Sequence, residues 1–236
     1  MKKGVIYLIP SVISPDTATQ VLPPQILEAV KGTRFFLAET IRESRRFISS
    51  LKLNIDISTL QFEQVNKDTS ASETEKYLAP ALKGENIGVL SDAGCPGVAD
   101  PGAEVARIAH KLGLRVVPLV GPSSLLLALM ASGMNGQSFA FNGYLPIDMK
   151  EAAQKINQFE KASRNQHQTQ LFIETPYRSD RTLGVLIKNL HPDTLLCVAK
   201  DITGTKEYIK TMPVSQWKKQ KITIGKEPTI FLFLAS

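Results

Sequence analysis

Short apolar strands separated by helix-length crossovers run through the first 133 residues, and that order leaves few folds open. Val5–Ile9 is a β-type run, and Pro23-Pro24-Gln25 opens a helix that Gly32 stops. Arg34–Ala38 reads as a second strand. Ile41–Leu51 reads as a helix with a basic face of Arg42, Arg45 and Arg46. Ser72-Glu73-Thr74-Glu75 has capping-box spacing and predicts a helix running to Leu82. Asn86–Leu90 and Arg115–Pro118 are further strands, with a helix over Ala103–Leu112 between them that Gly113 closes. Ser123–Ser132 is almost wholly apolar, so the helix predicted there should be buried on most sides. Strands joined by crossover helices imply a mainly parallel sheet covered on both faces.

After the turn-rich stretch 132–136 the pattern restarts, which sets the expected domains at 1–133 and 134–236. Strands are predicted at Ser138–Asn142, Gln170–Glu174, Thr194–Ala199, Glu207–Thr211 and Thr229–Leu234. Helices are predicted at Met149–Ser163 and Ser179–Leu190. The end of this half is hairpin-like, so its sheet should be mixed. The expected class is therefore α/β, with two α/β domains and a ligand cleft between them.

Composition excludes several alternatives. Of 236 residues, 43% are hydrophobic and 21% charged, which is the balance of a globular chain. No apolar run approaches the ~20 residues needed to cross a bilayer. Lys2 and Lys3 precede an apolar stretch that Pro10 ends too soon for a signal sequence, so a cytoplasmic protein without membrane association is expected. Cys95 and Cys197 stand far apart, and His110, His167 and His191 are scattered, so no metal site is expected. The net charge of +6 is uneven: residues 1–118 are nearly balanced, whereas 119–236 carry fourteen basic against nine acidic side chains. A basic half suits a polyanion, nucleic acid above all. Trp217, among the lysines near the end, reads as core rather than as an RNA platform.

The usual nucleotide signatures are missing: there is no GxGxxG after the first strand, no GxxxxGK[ST] and no GxSxG elbow. Instead, Ser91-Asp92-Ala93-Gly94-Cys95-Pro96-Gly97-Val98-Ala99-Asp100-Pro101-Gly102 follows a predicted parallel strand and precedes a helix. It therefore lies at the carboxyl edge of the sheet, where open α/β folds bind ligands, and its small residues let backbone approach one closely. Gly121-Pro122-Ser123-Ser124 follows the next strand in the same way. Two such loops from neighbouring strands would converge on one site.

SDAGCPGVADPG, then VVPLVGPSSLLLALMASG and FAFNGYLP, resemble the tetrapyrrole-methylase superfamily of S-adenosylmethionine-dependent enzymes. Within it the resemblance is to the ribosomal RNA small subunit methyltransferase I family. Ala38-Glu39-Thr40-Ile41-Arg42 resembles that family's AEDTR, Phe172–Arg178 its FYEAPHR, and Ala199–Thr203 its ARELT, so the likeness covers nearly the whole chain in order. It implies a two-domain methyltransferase, a homodimer, with S-adenosylmethionine folded into the interdomain cleft. The cofactor would touch Pro10 and Val12, the turn Asp92, Ala93, Gly94, Cys95, Pro96 and Gly97, then Ser123 and Ser124, and finally Thr175, Ala199 and Thr229. The implied partner is ribosomal RNA or the small ribosomal subunit.

Departures from the family bear on the acceptor. The first loop reads Ile9-Pro10-Ser11-Val12-Ile13-Ser14-Pro15-Asp16 where the family has TPIGNLGD, and Lys200 and Gly204 replace an arginine and a lysine. The chain stops at Ser236, short of a carboxy-terminal segment that many ribosomal members carry. Methyl transfer from a sulfonium rests chiefly on in-line positioning, and a ribose hydroxyl acceptor adds the need for a base. Glu39, Glu174, Asp201 and Glu207 are the carboxylate candidates, with Arg42 and Arg178 for phosphate; Glu39, Arg42 and Glu174 are the expected catalytic set. The expected reaction is 2′-O-methylation of small-subunit ribosomal RNA. The alternatives are a tetrapyrrole-like small-molecule methyltransferase and a cofactor-binding scaffold without turnover.

Overall fold

The computed structural model describes residues 2–235. The chain passes from one compact unit to a second between Ser123 and Ser124. This crossing falls before the expected boundary, and the reason lies in the apolar helix that follows it, described below.

In the first unit the elements are β1 (Val5–Leu8), α1 (Ala18–Val21), α2 (Pro24–Lys31), β2 (Phe35–Ala38), α3 (Ile41–Ser50), β3 (Gln61–Gln64), α4 (Ala71–Tyr77), α5 (Ala79–Leu82), β4 (Ile87–Leu90), α6 (Gly102–Lys111) and β5 (Arg115–Pro118). The strands form one sheet in the order β3-β2-β4-β1-β5, and every pairing is parallel. Successive side chains on a strand point to opposite faces. Leu37 joins Ile6, Val89, Val105 and Ile108 in one core layer, while Phe36 joins Ile9, Ile26, Val30 and Ile48 in another. Each such buried side chain contributes about 1.5–3 kcal/mol.

Two local readings are corrected. The capping box starts at Ser70, not Ser72: Ser70 Oγ accepts the Glu73 amide at 3.2 Å, and Glu73 Oε2 accepts the Ser70 amide at 2.9 Å. Strand β3 had no counterpart in the sequence reading. It is a short polar edge strand whose backbone, not its side chains, secures it against β2.

The second unit contains α7 (Ser124–Ser132), β6 (Phe139–Tyr144), α8 (Met149–Gln166), β7 (Thr169–Glu174), α9 (Ser179–Asn189), β8 (Leu195–Lys200), β9 (Tyr208–Pro213), α10 (Val214–Trp217) and β10 (Thr229–Leu234). Its sheet runs β6-β7-β10-β8-β9 and is mixed: β6 and β7 are parallel, and the other pairs antiparallel. Phe172, Phe231, Phe233 and Trp217 fill one side. Trp217 is 1% exposed and donates its ring N–H to the Leu196 carbonyl at 2.8 Å, the core role expected of it. On the other side, α7 sets Ala128 and Leu129 against Leu171, Cys197, Ala199 and Leu232. That packing is why α7 belongs with the second sheet. The expectation that α7 is buried on most sides does not hold, since Leu126 is 52% and Met130 77% exposed. Among the described residues no helix is long and apolar enough to cross a membrane.

Candidate functional site

Three loops converge at the carboxyl edge of the first sheet, because β1 has β4 and β5 as neighbours. The Ser11 amide donates to the Gly94 carbonyl at 2.9 Å, and Ser11 Oγ donates to the Ser91 carbonyl at 3.2 Å, tying the loop after β1 to the loop after β4. Cys95 Sγ donates to the Pro122 carbonyl at 3.3 Å, tying that loop to the one after β5. At Gly121 a Cβ would fall 2.2 Å from Pro10 Cβ, so only glycine lets the first and third loops close on each other. Gly94 sits at φ +72°, a left-handed turn that puts its carbonyl toward Ser11.

The long loop after β4 is held by one carboxylate. Asp100 accepts from the amides of Gly97 (2.9 Å), Val98 (3.2 Å) and Gly102 (2.7 Å), so its two oxygens close the turn before α6. Burial pushes its proton affinity up, and those amides oppose the shift. Asp92 and Ala93 stand exposed on the same loop. Burial raises the Cys95 thiol, and the nearby Asp100 charge raises it further, so Cys95 stays protonated and acts as a packing and donor group.

Glu39, just beyond β2, lies beside this loop. Its Oε2 accepts the Asp92 amide at 3.1 Å, while Thr40 Oγ1 donates to Asp92 Oδ2 at 2.8 Å. Burial raises the proton affinity of Glu39, the Asp92 amide lowers it, and the Asp92 and Asp100 charges add to the rise. A half-buried carboxylate held by one amide and poised toward proton uptake suits a general base.

Arg42, expected in the catalytic set, lies on α3. Its side chain is 72% exposed and lies only 3.9 Å from Glu43, a loose contact. One turn on, Arg46 lines a cavity of about 350 Å³ with Ser11, Val12, Asp16, Glu43 and Asp92. Arg46, 60% exposed and paired with Glu43 at 3.1 Å, is the arginine of this face that lines the hollow. The i, i+4 spacing of the two arginines was the available signal.

In the second unit the named residues gather at one end of the sheet. Thr229 on β10 is paired with Glu174 on β7 and Lys200 on β8, and the next residue, Ile230, with Ala199. Thr175 is exposed just past β7, whereas Ala199 and Thr229 are buried, and Ser124 opens α7. Glu174, expected in the catalytic set, is buried and fully partnered within its own unit. Its side chain is 1% exposed and accepts from the Thr175 amide (2.7 Å), Thr182 Oγ1 (2.7 Å) and Arg178 (3.0 Å). Arg178 also donates to the Leu145 carbonyl at 2.8 Å. Asp201 Oδ2 accepts the Lys206 amide and Glu207 Oε2 the Thr203 amide, each at 2.7 Å, bracing the turn between β8 and β9.

No family model matches the chain. It is 32% identical over 174 residues to the ribosomal RNA small subunit methyltransferase I of Vibrio cholerae, a match covering 74% of this chain and 59% of that protein. It is 29% identical over 204 residues to the protein of the same name from Bacillus subtilis, covering 86% of this chain and 65% of that one. In fold it is similar to the crystal structure of the methyltransferase CobJ. The TM-score is 0.64 at 15% identity, over 99% of this chain and 95% of that chain. The chain is thus similar in sequence to methyltransferases and shares its fold with one. It spans 59% and 65% of the lengths of those first two relatives. In place of a glycine-rich loop after β1, this chain builds a crowded carboxyl edge from Pro10, Gly94 and Gly121.

Proposed function

We propose that the chain is an S-adenosylmethionine-dependent methyltransferase acting on a ribose hydroxyl of small-subunit ribosomal RNA. The observation that carries the reading is the closure of three loops around Gly94 and Gly121, with Glu39 beside them. The relatives' names and the basic charge of residues 119–236 support the choice of RNA.

The residues present fit the cofactor by the chemistry of their donors and acceptors. Backbone at Asp92 and Ala93 is exposed on a braced loop of small side chains, which suits an amino-acid moiety and ribose hydroxyls. Within the first unit, Pro10, Val12, Gly94–Gly97 and Ser123 are the residues we assign to holding it. When bound, it supplies an electrophilic methyl group on a sulfonium. Glu39 takes the proton from the acceptor hydroxyl as that oxygen becomes nucleophilic. Asp100 keeps the loop rigid, so that the acceptor and the loop backbone stay aligned. Arg46 holds a phosphate of the acceptor strand at the rim of the hollow. A ribosomal acceptor would put the protein in the cytoplasm.

The protein acts as a homodimer in this reading. Leu126 and Met130, one turn apart on a helix without a charged residue, form an exposed apolar face that a second copy would cover.

The test is transfer of labelled methyl from S-adenosylmethionine to small ribosomal subunits lacking their native methylations. Label in the RNA is the expected result. No label in RNA, with transfer to a tetrapyrrole instead, would overturn the assignment of the acceptor.

A further inference from the structure

Three segments of the second unit meet at a surface that the proposed mechanism does not use. The loop between β6 and α8 is drawn to α9 by Arg178, which donates to the Leu145 carbonyl at 2.8 Å, and by Arg181, which donates to the Ile147 carbonyl at 2.9 Å. The loop before β10 is drawn to the same helix by Asp180, whose oxygens accept the amides of Ile224 (2.6 Å) and Gly225 (3.2 Å). Between these ties stands Tyr177, 85% exposed, with Lys226 Nζ 5.8 Å from its ring centre. Ile147, 71% exposed, and Met149 line a shallow hollow together with Arg178, the residue after Tyr177, and Arg181.

The chemistry of this surface is selective. An aromatic ring with a cation over it and apolar side chains nearby offers a face for stacking, while the cations flank it. The neighbouring acids are largely engaged: Asp180 by the two amides, Asp148 by the amides of Lys150 and Glu151, and Glu227 by Lys206 at 2.6 Å. Glu151, in the first turn of α8, is exposed, as are Asp148 and Asp180, which keep their charge while they accept those amides. We propose that this surface is a stacking platform for single-stranded RNA. Tyr177 takes an unpaired base on its ring, Ile147 and Met149 flank the base, and Lys226 and Arg181 meet the adjoining phosphates. The proposal rests on the RNA reading above and deepens it, since an unpaired base presents the π-face that a duplex hides.

The experiment is a fluorescence-anisotropy titration of a short, labelled, unstructured RNA with the full chain and with Tyr177→Ala, Tyr177→Trp and Lys226→Gln. Thermal melting of each variant reports the fold. Tyr177→Ala should bind about tenfold more weakly and Tyr177→Trp as well as the parent. Lys226→Gln should lower the slope of log affinity against log salt by about one. Parent-like binding by both Tyr177→Ala and Lys226→Gln would overturn the platform, as would equal affinity for an acidic peptide that ignores Tyr177. If the parent methylates ribosomal RNA while Tyr177→Ala changes neither binding nor transfer, the platform fails and the enzymatic reading stands. If RNA binding depends on Tyr177 but no methyl is transferred to RNA, the platform stands and the enzymatic reading fails.

Discussion

Glu39 Oε2 accepts the backbone amide of Asp92 at 3.1 Å, joining the end of β2 to the loop after β4. Three carboxylates, Glu39, Asp92 and Asp100, thereby share one edge of the sheet, and burial and mutual repulsion raise the proton affinity of Glu39. Only the ionised form can take a proton, so the methyl-transfer rate should fall as pH drops through this raised value, above the ordinary 4.5. Glu39→Gln should lower kcat about 10²–10⁴-fold and abolish that limb. The sign for stability is opposite. A raised folded-state value means that stability is lost as pH rises from the ordinary carboxylate range through the raised one, so Glu39→Gln should melt no lower than the parent at pH 7. A lower melting temperature with an intact pH limb would assign Glu39 a structural role.

Gly121→Ala should separate the loops. Its Cβ would sit 2.2 Å from Pro10 Cβ and 2.6 Å from Pro10 Cγ, neither of which can swing away. A stability loss of about 1–3 kcal/mol is expected, from denaturant titration. Calorimetry should also find weaker binding of S-adenosylhomocysteine. Unchanged affinity would remove these loops from the cofactor site.

Glu174 should behave as a buried structural carboxylate. Glu174→Ala leaves Arg178 and the Thr182 hydroxyl without their acceptor and should cost about 3 kcal/mol. Glu174→Gln keeps an acceptor for Thr182, so its pH–rate profile should match the parent's even where stability falls. A lost pH limb in Glu174→Gln would return the catalytic role to this residue.

The exposed face of α7 makes a prediction about assembly. Leu126→Asp combined with Met130→Glu should convert a dimer to a monomer in light scattering without lowering the melting temperature of the separated chain, since both side chains face outward. A parent chain that is monomeric at high concentration would overturn the assignment of that face.

Much of this was legible in the sequence where burial on both faces leaves an unbroken apolar run. Ile87–Leu90 and Thr229–Leu234 are such runs, and both form strands as expected. Gln61–Gln64 was not legible, because an edge strand is secured by backbone bonds to one neighbour and carries no apolar pattern. In Ser70-Ala71-Ser72-Glu73-Thr74-Glu75 two serines each precede a glutamate by three residues, and only the fold selects Ser70. The same limit applied at the site. The AETIR and FIETPYR segments marked Glu39 and Glu174 alike, but spacing along the chain does not reveal that Thr182, eight residues on, already holds Glu174. Nor does it show that Arg46, 60% exposed, lines the hollow while Arg42, 72% exposed, does not.

The most direct test of the central claim asks where on the nucleotide a transferred methyl arrives. Small-subunit RNA labelled by the full chain would be hydrolysed in alkali, which needs a free 2′ hydroxyl at each cleavage. The account predicts label in an alkali-resistant dinucleotide, lost with Glu39→Gln. Label recovered in single nucleotides, or no label in RNA at all, would contradict it.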